Sequence, residues 1–269
     1  MKILQVTDTH VGPAGYVGYG VDTRARLEEC VADINRHHAD ADLCLLTGDL
    51  VNAGSRAEYE NLAPVVRKLA VPVRVLPGNH DDRTLLREFF PETPVDEDGF
   101  LQSAVPVPGG RLLLLDTLRV DKASGELCGR RLAWLARELA RADDTITIAM
   151  HHPPLAVGIE FMDRIALVDA ERFWATLAPC RDRIRLILFG HVHRPVTGVS
   201  HGIAFAGCPS TAQQVALELG PQPELHLNFN HEPPCYAIID LRADEVIVHH
   251  QNYQQNLSPA FPRLGKRKD

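Results

Sequence analysis

The chain opens Met1-Lys-Ile-Leu-Gln-Val-Thr-Asp-Thr-His10, a short apolar run that breaks directly into carboxylate, hydroxyl and imidazole side chains. Five further runs of strand length follow, at 42–47, 72–76, 111–116, 145–150 and 184–189. Most are apolar at nearly every position, as strands covered on both faces are. Amphipathic stretches separate them. Residues 23–38 place Leu27, Cys30, Val31 and Ile34 on one helical stripe, and 130–142 repeat the pattern with Leu132, Leu135 and Leu139. Ser55-Arg-Ala-Glu58 is a capping box that starts another helix. Asp169-Ala-Glu171 opens a further one, and Asp81 with Asp82 is placed to start a helix over 84–90. Strand and helix in alternation predict an α/β fold. Beyond about residue 200, strands are expected at 202–206, 236–241 and 245–251. The stretch 209–234 is too long for an ordinary connection and reads as a lid, a cap or an interface.

Composition bounds the function. With 269 residues, 45% hydrophobic and 23% charged, the chain supports one large domain, alone or with an appendage. Its 28 Lys+Arg against 35 Asp+Glu give −7, and the basic residues cluster only at Arg263, Lys266, Arg267 and Lys268. A nucleic-acid polymer is therefore disfavoured as a partner. No apolar run approaches the roughly 18 residues of a membrane span. The first run leaves no room for a signal peptide, so a soluble cytoplasmic protein without a membrane partner is expected. Cys30, Cys44, Cys128, Cys180, Cys208 and Cys235 form no C-x-x-C pair, which argues for reduced thiols, with a Cys208–Cys235 bridge left open. Histidine is the unusual entry in the composition, at 13 residues.

The chemistry sits immediately after the apolar runs. Asp8-Thr-His10 follows the first, Gly48-Asp49 the second, Gly78-Asn-His-Asp81 the third, His151-His-Pro153 a later one and Gly190-His-Val-His193 the last. Strand carboxyl ends line the ligand crevice of an open α/β sheet, so these residues converge. Extended chain puts alternate side chains on one face, which would let Asp8 with His10, and His191 with His193, each aim two donors together. Gly48, Gly78 and Gly190 precede ligands where a missing Cβ allows close backbone approach. Asp8, His10, Asp49, Asn79, His151, His191 and His193 are too many donors for one tetrahedral zinc. They fit two divalent ions if a carboxylate bridges them, and nitrogen with oxygen and no thiolate favours Mn, Fe, Zn or Co. Singly, D-x-H or Gly-Asp is a weak signal; the five in order, each ending a strand, are not.

This ordered pattern, over residues 8–193, resembles the calcineurin-like metallophosphoesterase superfamily. Its flanking text is most similar to the bacterial class III cyclic-nucleotide phosphodiesterases and their sister glycerophosphodiesterases. The resemblance implies a four-layer α-β-β-α sandwich, with residues 1–200 as catalytic core and 201–255 supplying completing strands. It also implies a cap or dimerisation segment at about 209–234, a tail over 256–269 and a homodimer or higher homo-oligomer. By position, Asp8, His10, Asp49 and His193 would hold one ion, and Asp49, Asn79, His151 and His191 the other. The implied reaction is attack of metal-activated hydroxide on a small phosphodiester, either a 3′,5′-cyclic nucleotide such as cyclic AMP or a glycerophosphodiester. In it, Asp49 bridges, and Asn79 and His80 touch substrate. His80 either protonates the departing oxygen or only orients its neighbours. His152 contacts substrate or hydrogen-bonds its own loop, and Arg194 supplies positive charge or is a solvated surface group.

One departure is informative. Relatives acting as phosphoprotein phosphatases carry an arginine in G-D-x-V-D-R-G, where this chain reads Gly48-Asp-Leu-Val-Asn-Ala-Gly54. A dianionic monoester needs such a cation more than a singly charged diester does. Diester hydrolysis is therefore the leading reading, with a promiscuous phosphomonoesterase as the alternative. A non-catalytic metal-binding scaffold or a DNA nuclease is disfavoured, by the filled ligand positions and by the acidic balance respectively.

Overall fold

The structure, a computed structural model, describes residues 1–141 and 144–254. Its first sheet contains β1 (Lys2–Val6), β2 (Leu43–Thr47), β3 (Val73–Leu76), β12 (Cys235–Leu241) and β13 (Val246–Asn252), in the order β13-β12-β1-β2-β3. The second contains β4 (Ser103–Val107), β5 (Gly110–Leu114), β6 (Thr145–Ala149), β7 (Ile184–Phe189), β8 (Val196–Ser200) and β9 (Ile203–Gly207), in the order β4-β5-β6-β7-β9-β8. The strands that end in ligand motifs pair parallel with one another, β3 forming an edge of the first sheet, while β4, β8, β12 and β13 pair antiparallel. A short hairpin of β10 (Gln214–Val215) and β11 (Phe229–Asn230) stands apart.

The apolar runs are continuous because each strand is covered on both sides, with successive residues serving different layers. Ile3, Leu43, Leu45 and Leu76 meet Leu112, Leu114, Leu186 and Leu188 between the two sheets. Their neighbours Leu4, Cys44 and Leu46 point the other way, onto Leu27, Ile34 and Leu62 of α1 (Thr23–His37) and α2 (Arg56–Val66). On the far side, Leu113, Ile148 and Ile187 pack against Leu135 and Leu139 of α4 (Gly129–Ala140) and Phe173 of α6 (Ala170–Leu177). Helix, sheet, sheet and helix thus form four layers around three apolar clusters.

The expected helices form, with adjustments. Ser55 and Glu58 close the capping box of α2. In α3 (Arg83–Phe89) the N-cap is Asp82, which accepts from Leu85 N. Asp81 does not join it: its carboxylate is buried and accepts instead from Leu50 N, Gly78 N and the Tyr59 hydroxyl. Strands β4 and β8 and the short helix α5 (Glu160–Arg164) have no counterpart in the sequence reading. Pro106 and half-exposed residues disguise β4, which pairs only through β5 at an edge where a proline is tolerated.

All six cysteines are free, so there is no Cys208–Cys235 bridge. The expected 209–234 segment is divided in character. Residues 210–215 are buried against the catalytic strands, whereas Leu217, Leu219 and Leu225 are exposed. The expected tail over 256–269, with its basic cluster from Arg263 to Lys268, lies outside the described residues. Among the described residues, no helix is long and apolar enough to cross a membrane. Leu188 sits fully buried where the sheets face each other. Leu188→Ala is expected to lower stability by about 2–5 kcal/mol in urea denaturation, and a loss well below 1 kcal/mol would contradict this layering.

Candidate metal centre

The carboxyl ends of β1, β2 and β3 face those of β6 and β7 across the seam between the sheets, and cross-sheet hydrogen bonds lock the seam. Gln5 Nε2 donates across the seam to the Phe189 carbonyl at 3.2 Å and, within its own sheet, to Thr47 Oγ1 at 3.0 Å. His191 N donates to Asp8 Oδ2 at 3.0 Å, and Ser210 Oγ donates to the Asp8 carbonyl at 2.7 Å. The ligand-bearing turns are tight. Asp8, His10, Asp49, His191 and His193 all have positive φ, between 43° and 65°. That corrects the extended-chain rationale: the paired donors converge because the chain coils left-handed as it leaves each strand, a conformation that persists in non-glycine residues only when its surroundings enforce it. Gly78 shows the enforcement, since a Cβ there would lie 2.2 Å from Asp49 Oδ1.

The donors are gathered in one place. His193 Nε2 lies 3.2 Å from Asp8 Oδ1 and 3.1 Å from His10 Nε2, and His151 Nε2 lies 3.3 Å from Asp49 Oδ2. Donors that share an ion at about 2.0–2.2 Å sit roughly 3.0–3.5 Å apart, so these separations fit common coordination. Asp49 Oδ2 also faces His10 Nε2 at 3.8 Å, while Asp49 Oδ1 is held by His80 N at 2.9 Å. Tautomers are set from behind. His151 Nδ1 donates to the Thr47 carbonyl at 2.8 Å and His193 Nδ1 to the Gln213 carbonyl at 2.7 Å, which leaves both Nε2 lone pairs facing inward. Asn79 Oδ1, His151 Nε2 and His191 Nε2 are buried with no hydrogen-bond partner. Three such acceptors gathered beside two buried carboxylates are the environment that a cation satisfies. The residues present therefore fit two divalent ions.

Electrostatics agree. Burial alone would raise Asp49, but His151, His80 and His10 hold it well below the usual carboxylate range. Burial opposes a proton on His151, yet Asp49 and Asp8 outweigh it and push the imidazole up to about 9; Asp8 likewise raises His193. Burial and neighbouring imidazoles drive His10 and His191 down to about 3. Without cations, a proton on His151 answers the two carboxylates, and Asp8 favours one on His193.

Above the cluster lies a cleft of about 380 Å³. His80 forms part of its wall: Nδ1 donates to the Asn52 carbonyl at 2.6 Å, and Nε2 stands 4.0 Å from Asp49 Oδ2. Phe161, Met162, Ile165, Val215, Leu227 and Phe229 supply an apolar side, with the exposed Tyr19 ring tilted at 45° against Phe229. The stretch 209–234, expected as a cap, supplies Val215, Leu227 and Phe229; Phe161, Met162 and Ile165 were missed because they lie on the five-residue α5 and its end, too short for a periodic signal. Among the described residues, no Lys or Arg lines the cleft.

His152 does not line that cleft, and of its two expected roles the structure shows the hydrogen bonds to a loop. It is fully buried, with Nδ1 accepting from Thr117 Oγ1 at 2.8 Å and Nε2 donating to the Ala123 carbonyl at 3.1 Å. It ties the 117–123 loop to the end of β6. Arg194 Nη1 donates to the Val215 carbonyl at 2.7 Å and pairs with Glu232, so it pins the hairpin instead of facing substrate.

The sequence model of the calcineurin-like phosphoesterase family matches residues 1–195. The chain belongs to that family. This calcineurin-like phosphoesterase is 38% identical over 265 residues, 97% of its length and 95% of the relative's, to a protein of Rhodopseudomonas palustris named a probable cyclic nucleotide phosphodiesterase. It is 31% identical over 270 residues, 99% and 98% of the two chains, to the probable glycerophosphodiester phosphodiesterase GpdQ of Arcobacter nitrofigilis. Among solved structures it shares its fold with a dimetal phosphatase of Danio rerio, at a TM-score of 0.70, 15% identity and coverage of 94% and 96%.

In this phosphoesterase, the proton that Asp49 and Asp8 hold on His151 up to about pH 9 must leave before that nitrogen binds a cation. Metal uptake is therefore expected to strengthen as pH rises from about 6 toward 9, with protons released on binding. Calorimetry in buffers of different ionisation enthalpy checks this, and uptake that is independent of pH and releases no protons would contradict the ligand assignment.

Proposed function

We propose that the chain is a dinuclear phosphodiesterase acting on small diesters, with 3′,5′-cyclic nucleotides or glycerophosphodiesters as the substrate class. The observation that carries this reading is the trio of unpartnered acceptors, Asn79 Oδ1, His151 Nε2 and His191 Nε2, beside a carboxylate held ionised. Asp8, His10, Asp49 and His193 would hold one divalent transition-metal ion, and Asp49, Asn79, His151 and His191 the other, with Mn, Fe, Zn or Co suited to the donors. When bound, such a pair supplies Lewis acidity to the phosphoryl oxygens and lowers the pKa of the attacking water.

The chain's own residues do the rest. Thr47 and Gln213 carbonyls keep the imidazole lone pairs aimed at the cluster, and His80 N fixes Asp49 Oδ1, which leaves Oδ2 facing His10 and His151. Water oxygen forms the new bond to phosphorus as the bond to one ester oxygen breaks, and that oxygen needs a proton. With Nδ1 tied to the Asn52 carbonyl, the free edge of the half-exposed His80 ring is Nε2; as the imidazolium the ring gives its Nε2 proton to the departing oxygen, and the proton lost by the attacking water restores it. A cleft lined by no Lys or Arg suits a singly charged diester better than a monoester dianion.

Residues 1–200 would act as the catalytic core, with 201–255 completing both sheets and 209–234 closing over the cleft. The exposed Leu217, Leu219 and Leu225 support a homodimer through that segment, and six free thiols suit a reducing cytoplasm. His80→Ala is expected to lower kcat on bis(p-nitrophenyl) phosphate by about 10²–10⁴-fold while bound metal, measured by atomic emission, stays at the wild-type level. Unchanged turnover would remove His80 from the proton step.

A further inference from the structure

A second cavity, of about 630 Å³, adjoins the cleft. One wall is formed by Ala53 and Gly54 after β2, another by the start of α3, and the third by the loop from Leu118 to Ala123. The two cavities have three lining residues in common, Asn79, His80 and Ala123. They therefore meet at the His80 imidazole, where the departing ester oxygen takes its proton in the reaction proposed above.

The second cavity is preformed. Arg83 donates Nε and Nη2 to the fully buried Asp116, both at 2.7 Å, and Nη2 to the Leu118 carbonyl. Arg131 also donates to the Leu118 carbonyl, at 2.9 Å, and His152 holds Ala123 at the other end of the loop. Those contacts fix the distance between loop and helix and neutralise Arg83. They leave Thr84, Asp121 and Lys122 as lining side chains that form no hydrogen bond or ion pair among the described residues. The lining is polar where that of the cleft is largely apolar.

A phosphodiester has two ester arms. In a 3′,5′-cyclic nucleotide both close on one sugar and leave phosphorus in a common direction; in an acyclic diester they diverge. We propose that the 630 Å³ cavity is the subsite for the second arm of an acyclic diester. The phosphate sits at the His80 junction, a flat or apolar arm lies on the Phe161–Phe229 side, and an arm bearing hydroxyl or amine groups enters between Thr84 and Lys122. The inference rests on the diesterase reading and adds to it a site that discriminates acyclic from cyclic substrates.

Ala53 and Lys122 are exposed on opposite walls, so a large side chain at either fills the cavity without entering the core. The metal-loaded protein, A53W and K122W are compared on p-nitrophenyl phosphorylcholine, which has both arms, and on methyl p-nitrophenyl phosphate and cyclic AMP, which have nothing to place in the second cavity. The ratio of kcat/KM for the two-armed ester to that for either control is expected to fall by about 10-fold or more in both variants, the scale of losing a pocket's contacts. An unchanged ratio in both folded variants would overturn the proposal. Absence of turnover of every diester by the wild-type protein would overturn the diesterase reading beneath it, a result separable from an unchanged ratio.

Discussion

Two carboxylates, Asp8 and Asp49, are sealed at the junction of two sheets with almost no exposed surface. Removing a carboxylate from water costs several kcal/mol unless an opposite charge answers it inside the protein. Here the answer comes from imidazoles on separate strands, arranged so that the carboxylates stay ionised and the ring nitrogens face them. Divalent ions meet that need better than protons do, because they also satisfy Asn79 Oδ1 and the Nε2 atoms of His151 and His191. The four-layer frame can be read as the means of holding this charge arrangement. Apolar strands pass between three clusters of side chains and deliver one polar turn each at the same end of the seam.

The frame stores strain where it holds the donors. Five of the candidate ligands adopt left-handed backbone, each destabilising by about 1–3 kcal/mol on its own. Hydrogen bonds that cross the seam, from Gln5, Ser210 and His191, keep those turns from relaxing. The consequence is a preorganised cluster. Its donor separations of 3.1–3.3 Å already match shared coordination, so little rearrangement accompanies loading.

Much of this was legible in the sequence because two periodicities and a stop rule carried it. Apolar runs gave the inner strands, 3.6-residue stripes gave α1 and α4, and polar text after each run gave the donors. What escaped has physical reasons. Edge strands β4 and β8 are half-exposed and lack a continuous apolar signature. Adjacent like residues were not separable: Asp82 caps α3 while Asp81 turns inward to backbone amides, and His151 faces the cluster while His152 ties down a loop. The paired donors converge by left-handed turns, which composition does not reveal for non-glycine residues. The apolar cleft side and the second cavity arise from loops that touch only in three dimensions.

The central claim is that Asp49 is shared by two ions. A crystal structure of the metal-loaded protein, with anomalous difference maps at the absorption edge of the added metal, tests it most directly. The account predicts two peaks about 3.5–4 Å apart, one within bonding distance of Asp8, His10 and His193, the other of Asn79, His151 and His191, and both of Asp49. A single peak at full metal loading, or a second ion without Asp49 among its ligands, would contradict it.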